Sequence, residues 1–154
     1  MGVMVMRRAQ SLLLFEQTMN NASAAGTCVI ADSLLLMLQR GPKGAAPLTW
    51  AFAGGRIEEG ETPFQAAIRE TQEELSVDLR YDPVAFSFSQ PIPGEAGKTF
   101  TTFVYTFPRV PSGWSPRINE ESLAFGWFTL PAVKMLNLHP GIPYALKQIG
   151  WGKY

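Results

Sequence analysis

The sequence predicts one α/β domain in which helices lie before and after a mixed β-sheet, and three observations lead to this prediction. The chain has 154 residues and is 46% hydrophobic, which is enough for one domain with a core and too little for two ordinary ones. Several short segments are rich in β-branched and aromatic residues, a composition typical of strands. One segment in the middle of the chain combines a well-marked helix start with apolar residues at helical spacing.

The strands are expected at six places along the chain. Residues 24–31 are apolar and partly β-branched, and Asp32-Ser33 is expected to form a turn into the continuous apolar run 34–38. A short apolar run without polar alternation indicates a strand that is buried on both faces. The remaining strand segments are 50–52, 84–89, 100–107 and 123–128.

The central helix begins at a capping sequence. Thr62 fits the N-cap, Pro63 fits the first helical position, and Gln65 completes a capping box with Thr62. The side chains expected to face the core are Phe64, Ala67, Ile68, Thr71 and Leu75. Two further short helices are expected at 131–136 and 143–149.

Three glutamates lie close together on another side of this helix. Glu70, Glu73 and Glu74 stand at i, i+3 and i+4, so they cover an arc of about 100° away from the apolar stripe. Like charges at this spacing destabilise a helix unless a cation neutralises them, and carboxylate ligands suit Mg²⁺ or Mn²⁺. Taken alone, the three acids are more simply explained as a solvated acidic face.

The segment before the helix changes the balance between these two interpretations. Gly54 and Gly55 are expected to lie in a loop, where backbone angles that other residues resist would let a carbonyl turn toward a metal. Glu61 lies just before the N-cap and could reach the same acids or brace Arg69. The sequence therefore favours a metal site that the loop and the helix build together.

Around these residues the sequence resembles a known family motif. From Gly55 to Val77 it is similar to the Nudix box, Gly-x₅-Glu-x₇-Arg-Glu-U-x-Glu-Glu-x-Gly-U, where U is a bulky aliphatic residue. Ser76 replaces the final glycine, which is expected to be left-handed at the helix C-terminus, and Thr71 replaces an aliphatic residue. The matching positions are Gly55, Glu61, Arg69, Glu70, Glu73, Glu74 and Val77.

The resemblance implies a Nudix α/β/α sandwich around a mixed β-sheet at 24–154, with residues 1–23 as an N-terminal extension. It also implies a MutT-like pyrophosphohydrolase that acts on acid anhydrides in phosphorus-containing compounds. Its substrate would be a nucleoside diphosphate linked to another group X, such as a nucleoside triphosphate, ADP-ribose or a nucleotide sugar. The alternative is a catalytically silent Nudix fold that binds or senses nucleotides.

The family pattern assigns roles to the acids of the box. Glu73 and Glu74 would ligate Mg²⁺, or Mn²⁺, together with the backbone carbonyl of Gly55. Glu70 would be either a further ligand or the general base for the attacking water. These four residues would form the metal and catalytic centre.

Two further features of the catalytic centre come from the same resemblance. Arg69 would form a bracing ion pair with Glu61 beside the acids. In several family members an acid outside the box supplies the base or another ligand, and Glu121 is the favoured candidate here, followed by Glu120. Both precede the segment 123–128, which resembles the strand that follows this acid in the family. Two solvated loop acids are an equally good explanation of the pair.

The substrate-binding residues are less constrained than the metal site. Aromatic residues could stack on a base, although a core position is the expected one for each. The aromatic candidates are Phe52, Phe88 and Phe103, and the candidates for phosphate binding are Arg40, Lys43 and Arg56.

The composition limits the other partners. The 13 basic and 13 acidic residues give no net charge, so neither a nucleic acid polymer nor a membrane is expected as a partner. Cys28 is the only cysteine and is expected to be a small buried residue, which agrees with a reducing, cytoplasmic location. The apolar run at 12–15 is too short for a secretory signal. A homodimer is compatible with the family resemblance.

Overall fold

The computed structural model describes residues 22–150 of the chain. Most of the extension expected at 1–23 lies outside the described residues, as does the C-terminal segment 151–154. No helix in the described range has both the length and the apolar composition that a membrane span requires.

Seven strands and three helices occur between residues 22 and 150. The strands are β1 (Ala24–Ala31), β2 (Leu34–Arg40), β3 (Trp50–Ala51), β4 (Ala53–Arg56), β5 (Phe86–Pro91), β6 (Thr99–Phe107) and β7 (Ser122–Phe128). The helices are α1 (Pro63–Leu75), α2 (Leu130–Lys134) and α3 (Ile142–Gln148). Every expected strand and helix is present, and β4 is a strand that the sequence did not predict.

A two-residue turn joins β1 to β2, as expected. Ala31 pairs with Leu34 across the turn, and both Asp32 and Ser33 have a positive φ, at 50° and 59°. Two consecutive left-handed residues give a hairpin turn whose twist matches the twist of the flanking strands. Asp accepts this conformation better than most other residues because its short polar side chain can bond to the nearby backbone.

The strands form one mixed sheet, as predicted. The order along the sheet is β3-β2-β1-β6-β5, with β4 also paired to β1 and β7 also paired to β2. β1 and β6 run parallel from Ala24 opposite Phe100 to Ala31 opposite Phe107, and the other strand pairs are antiparallel. A parallel pair needs a long crossover connection, and α1 lies within the chain that provides it.

Both faces of the sheet are buried, which makes the architecture three-layered. On β2, Leu36 and Leu38 belong to the core beneath α1, whereas Leu35 and Met37 belong to a second core beneath α2 and α3. All four side chains are at most 4% exposed. Successive residues of a strand point to opposite faces, so one apolar run serves both cores. The two-sided burial of this run and the α/β/α sandwich are confirmed.

The two ends of α1 are fixed by their caps. Thr62 accepts a hydrogen bond from the backbone N–H of Gln65, and the Gln65 side chain accepts one from the backbone N–H of Thr62. The expected capping box is therefore present. At the other end Ser76 has φ 57° and ψ 32°, the left-handed conformation expected where the Nudix box has its final glycine.

Thr71, which replaces an aliphatic residue of the box, is fully buried on the side of α1 that faces the sheet. Its hydroxyl lies 2.7 Å from Thr27 Oγ1 of β1 and 2.7 Å from the carbonyl oxygen of Ala67. A buried hydroxyl needs such partners because an unpaired one would be costly in the core. The substitution therefore adds a polar connection between helix and sheet.

The expectation that Gly54 and Gly55 lie in a loop is wrong. Both belong to β4, which pairs them with Gly26 and Ala25 of β1, and neither has a positive φ. Small size explains Gly54 better than backbone freedom does. A Cβ atom at Gly54 would lie 2.7 Å from the ring of Phe100 and 2.8 Å from the carbonyl oxygen of Ala25, closer than side chains can pack.

Candidate active site

Helix α1 carries its acidic residues into a cleft of about 820 Å³. The apolar side chains of the helix pack on the sheet, so Glu70, Glu73 and Glu74 project toward β4 and the turn before β7. The cleft brings together the predicted metal, catalytic and phosphate-binding residues and one of the three aromatic candidates, Phe52. The residues that line it are Arg40, Lys43, Phe52, Gly55, Arg56, Arg69, Glu70, Glu73, Glu74, Glu120 and Glu121.

Arg69 lies at the centre of an ion-pair network. Its Nε donates to Glu61 Oε2 at 2.7 Å and its Nη2 donates to Glu61 Oε1 at 2.9 Å. Its Nη1 donates to Glu70 Oε1 at 2.9 Å and lies 3.3 Å from Glu73 Oε2. The hydrogen bonds between Arg69 and Glu61 lower the pKa of Glu61 and raise that of Arg69, so both groups stay charged. The expected ion pair is therefore present.

Glu70 and Glu74 lie against the backbone of β4. A Cβ atom at Gly55 would lie 2.5 Å from Cδ of Glu70, so any larger residue there would push this carboxylate away. Glu74 Oε1 accepts a hydrogen bond from the backbone N–H of Gly54 at 3.3 Å. The two glycines of β4 therefore set the distance between the sheet and the acids of the helix.

The Glu74 carboxyl is unusually hard to ionise. Burial raises its pKa to about 8, and the neighbouring carboxylates of Glu70 and Glu121 add to the shift. The hydrogen bond from Gly54 acts in the opposite direction but is the smaller influence. A carboxyl that resists ionisation among other acids is one whose charged form a bound cation would stabilise.

Glu121 reaches the cleft from the turn that precedes β7. Its backbone N–H donates to Asn119 Oδ1 at 3.0 Å, and Asn119 Nδ2 donates to the carbonyl oxygen of Glu73 at 3.1 Å. Asn119 thus links the last turns of α1 to the turn that carries Glu121. Glu121, rather than Glu120, acts on the pKa of Glu74. The sequence did not reveal Asn119, because an asparagine in a loop is common and its partner is far away along the chain.

The donor groups of the cleft have the chemistry that a hard divalent cation prefers. Carboxylates and backbone carbonyls are the ligands of Mg²⁺ and Mn²⁺, and six glutamates line this cleft. Within residues 22–150, no three His, Cys, Asp or Glu side chains already have the arrangement of a metal-binding group. Instead, Glu70 and Glu73 form ion pairs with Arg69. The side chains of the cleft are therefore of the kind that binds such an ion, and in this structure Glu70 and Glu73 are paired with the Arg69 guanidinium.

A second cavity of about 250 Å³ adjoins the acidic cleft. The two cavities share Arg40, Phe52 and Arg56 in their walls, and the other walls of the smaller one are mainly apolar. Arg40 Nε donates to the carbonyl oxygen of Ala45 at 3.0 Å, and Arg56 Nη2 lies 3.9 Å from a carboxylate oxygen of Glu95. Both guanidinium groups therefore lie at the junction of an acidic and an apolar space.

Two of the aromatic candidates are core residues. Phe103 is 6% exposed and contacts Phe64 edge to face with 5.4 Å between ring centroids, and Phe88 packs against the second core. Phe52 is the aromatic candidate that lines both cavities. Cys28 is fully buried, and burial raises the pKa of its thiol, so its expected structural role agrees with its surroundings.

Comparison with known proteins supports a family assignment. A family model described as NUDIX domain matches residues 19–149, which is the greater part of the chain. The match includes α1, β4 and the turn that carries Glu121, so it covers the whole cleft.

Two curated relatives match shorter stretches. An 8-oxo-dGTP diphosphatase of Proteus vulgaris is 38% identical over 69 residues, which cover 42% of this chain and 62% of that protein. A CTP pyrophosphohydrolase of Escherichia coli K12 is 32% identical over 63 residues, which cover 41% of this chain and 47% of that protein. The chain thus spans less than two thirds of the length of either relative.

Solved structures share the fold over most of the chain. A Caenorhabditis elegans Ap4A hydrolase in a binary complex superposes with a TM-score of 0.67 at 21% identity, covering 82% of this chain and 95% of that one. A bifunctional NMN adenylyltransferase/ADP ribose pyrophosphatase of Francisella tularensis, complexed with AMP and a Mn ion, superposes with a TM-score of 0.66 at 24% identity. The second comparison covers 82% of this chain and 41% of that one.

Proposed function

The chain belongs to the Nudix family, whose domain model matches residues 19–149, and on this premise we propose that it is a pyrophosphohydrolase dependent on Mg²⁺ or Mn²⁺. Its substrate class is a nucleoside diphosphate linked to another group X, as in a nucleoside triphosphate, ADP-ribose or a nucleotide sugar. The observation that carries the proposal is the meeting of Glu70, Glu73, Glu74 and Glu121 with Arg69 in one cleft.

The metal ligands of this proposal are the carboxylates of Glu73 and Glu74 and the backbone carbonyl of Gly55, with Glu70 and Glu121 as further ligands or as the general base. Bound Mg²⁺ or Mn²⁺ would neutralise the charge of the diphosphate oxygens and would lower the pKa of a coordinated water. A bound cation would replace the contact of Glu73 with the Arg69 guanidinium, while Glu70 would keep its hydrogen bond from Arg69.

Proton transfer in the proposed reaction falls to the acids of the cleft. A carboxylate oxygen of Glu70 or Glu121 within hydrogen-bond reach of the attacking water accepts its proton. Arg69 orients Glu70 through the 2.9 Å hydrogen bond to Oε1 and is itself held by Glu61. Water is the nucleophile in this scheme, because the Cys28 thiol is buried in the core.

The substrate phosphates lie, in this proposal, between the acids and the two arginines at the junction of the cavities. Arg40 and Arg56 supply the positive charge there, and Phe52 supplies an apolar wall. The relatives named above act on 8-oxo-dGTP and CTP, and the solved structures concern Ap4A and ADP-ribose, so the group X is left open among these types.

A hydrolysis assay with a matched pair of variants tests the proposal. Wild type, Glu73→Gln and Glu59→Gln are compared over dNTPs, ADP-ribose, nucleotide sugars and dinucleoside polyphosphates with Mg²⁺ or Mn²⁺. Glu59 is an exposed glutamate close to α1 that does not line the cleft, so its variant controls for loss of one charge. We expect the hydrolysis rate of Glu73→Gln to be more than about 100-fold lower than that of wild type. This exceeds the loss of about 10–100-fold that is typical of a residue that only supports a metal ligand.

The same assay identifies the alternative function. A wild-type chain as silent as Glu73→Gln over the whole panel, with both metals, would make the chain a nucleotide-binding or sensor module. Activity that survives EDTA treatment would contradict the metal dependence. The cytoplasmic location and the homodimer stay predictions, and size-exclusion chromatography with light scattering measures the second.

A further inference from the structure

We infer that the smaller cavity holds a heteroaromatic ring of the ligand and that His139 recognises this ring by donating a hydrogen bond from Nε2 to an acceptor on its edge. The inference rests on the proposed function for the ligand class, a nucleoside diphosphate derivative. It goes beyond that function because it names a residue that selects among ring systems.

The cavity has the shape and chemistry of a ring-binding space. Its volume of about 250 Å³ is too small for a whole nucleotide and adjoins the cleft where the phosphates would lie. Ile142 and Ala145 of α3 contribute apolar walls and are at most 5% exposed. A flat apolar ring is stabilised by leaving water for such a space, while the few polar groups in the wall set its orientation.

Hydrogen bonding fixes the protonation of His139, which lines this cavity. The backbone N–H of Gly141 donates to His139 Nδ1 at 3.1 Å, so Nδ1 is an acceptor and carries no proton. In a neutral imidazole the proton then lies on Nε2, which makes that nitrogen a donor. Burial and the positive charge of Arg40 lower the pKa of His139, which agrees with a neutral ring. Within residues 22–150, Nε2 has no hydrogen-bond partner in the protein.

The imidazole is held in place before any ligand arrives. The backbone N–H of His139 donates to the carbonyl oxygen of Trp50 at 2.9 Å, which ties this residue to β3. Gln90 is 7% exposed, and its Nε2 donates to the carbonyl oxygen of Gly141 at 2.9 Å. Gln90 thereby holds the residue that in turn orients the imidazole. A donor fixed by its surroundings binds without the entropy cost of becoming ordered.

Gly141 lies close to both of its partner side chains. A Cβ atom there would lie 3.2 Å from Gln90 Nε2 and 3.5 Å from His139 Nδ1. Gln90, Gly141 and His139 therefore form one connected unit in the wall of the cavity. A histidine that only stabilised a turn would need the bond from Gly141, whereas His139 also lines the cavity, where its imidazole can meet a ligand.

Binding of nucleoside monophosphates tests the inference apart from hydrolysis, because these ligands have no pyrophosphate bond to break. Isothermal titration of the full chain with AMP, GMP, CMP and UMP in Mg²⁺ identifies the preferred ring, and ribose 5-phosphate serves as the ligand without one. For the preferred nucleotide we expect His139→Phe to weaken binding about three- to tenfold, the effect of one neutral hydrogen bond. His139→Gln retains a donor and is expected to stay within about twofold.

Analogues of the preferred nucleotide locate the acceptor. One analogue in which C–H replaces a ring acceptor should bind wild type about three- to tenfold more weakly than the parent nucleotide does. The same analogue should bind His139→Phe as tightly as the parent nucleotide does. Equal affinity of wild type and His139→Phe for all four monophosphates would overturn the inference, as would wild-type binding no tighter than that of ribose 5-phosphate. A chain that binds rings through His139 but hydrolyses no anhydride would instead overturn the proposed function.

Discussion

In the metal-free protein, the free energy of unfolding is expected to fall as the pH rises from about 6.5 to 8, because Glu74 has to ionise inside the cleft. Its pKa is about 8 in the folded chain against the ordinary 4.5 of a glutamate. A raised pKa means that the folded state holds the proton more tightly, so this contribution to stability is complete below pH 4.5 and is lost as the pH approaches 8. At about 1.4 kcal/mol per pKa unit, the loss over this range is about 1.5–2 kcal/mol.

The pH range is chosen so that one group dominates. His139 has a lowered pKa, so its opposite contribution to stability lies mainly below this range and adds at most about 0.4 kcal/mol within it. The proton lost over this range is that of Glu74, whose pKa the neighbouring Glu70 carboxylate helps to raise. The effect on the unfolding free energy is therefore that of about one proton.

Urea unfolding in EDTA at four pH values measures how the free energy of unfolding changes with pH. Glu74→Gln has a neutral side chain of the same shape and should show a nearly constant unfolding free energy, whereas Glu59→Gln should retain the wild-type fall. Excess Mg²⁺ should flatten the wild-type slope, because a bound cation favours the charged carboxylate. A wild-type stability that stays constant or rises with pH in EDTA, or a Glu74→Gln variant with the wild-type slope, would refute the reasoning.

Three further substitutions have defined expected outcomes. Glu61→Gln weakens the bidentate ion pair with Arg69, in which the Glu61 side chain is 17% exposed and the Arg69 side chain 24%. Urea titration should therefore show a free energy of unfolding that is about 1–2 kcal/mol lower. An unchanged urea midpoint would contradict this. Gly55→Ala places a methyl group 2.5 Å from Cδ of Glu70, so the hydrolysis rate should fall at least about tenfold, and a wild-type rate would show that the carboxylate position is unimportant. Ser76→Gly relieves a residue at φ 57° and should raise the unfolding free energy by about 1 kcal/mol without changing the hydrolysis rate; a less stable variant would contradict the strain.

The acids of α1 could be placed from the sequence because their geometry is local. Helical spacing alone puts Glu70, Glu73 and Glu74 on one side, and the capping box fixes where the helix begins. The turn at Asp32-Ser33 and the two-sided burial of β2 followed from equally local patterns. Such features depend on neighbours within a few residues, which a sequence displays directly.

The other features of the cleft depend on contacts between distant parts of the chain. The small size of Gly55 is explained by the Glu70 carboxylate across space rather than by an unusual backbone angle. Asn119 matters because it reaches the carbonyl of Glu73, and its own neighbours give no sign of that. The residues around His139 indicate only a turn, because the cavity that it lines is assembled from several separate elements.

The buried hydroxyl pair of Thr27 and Thr71 has a consequence for how this chain can change over evolutionary time. A valine at either position alone would leave the other hydroxyl with one partner fewer in a dry core, whereas valine at both would match the shape and remove the polar groups together. Each position therefore constrains what the other accepts, and mutations at the two sites are expected to be epistatic. Among descendants of this sequence, positions 27 and 71 are therefore expected to change together. The chains with one threonine and one valine should be less stable than those with two threonines or two valines.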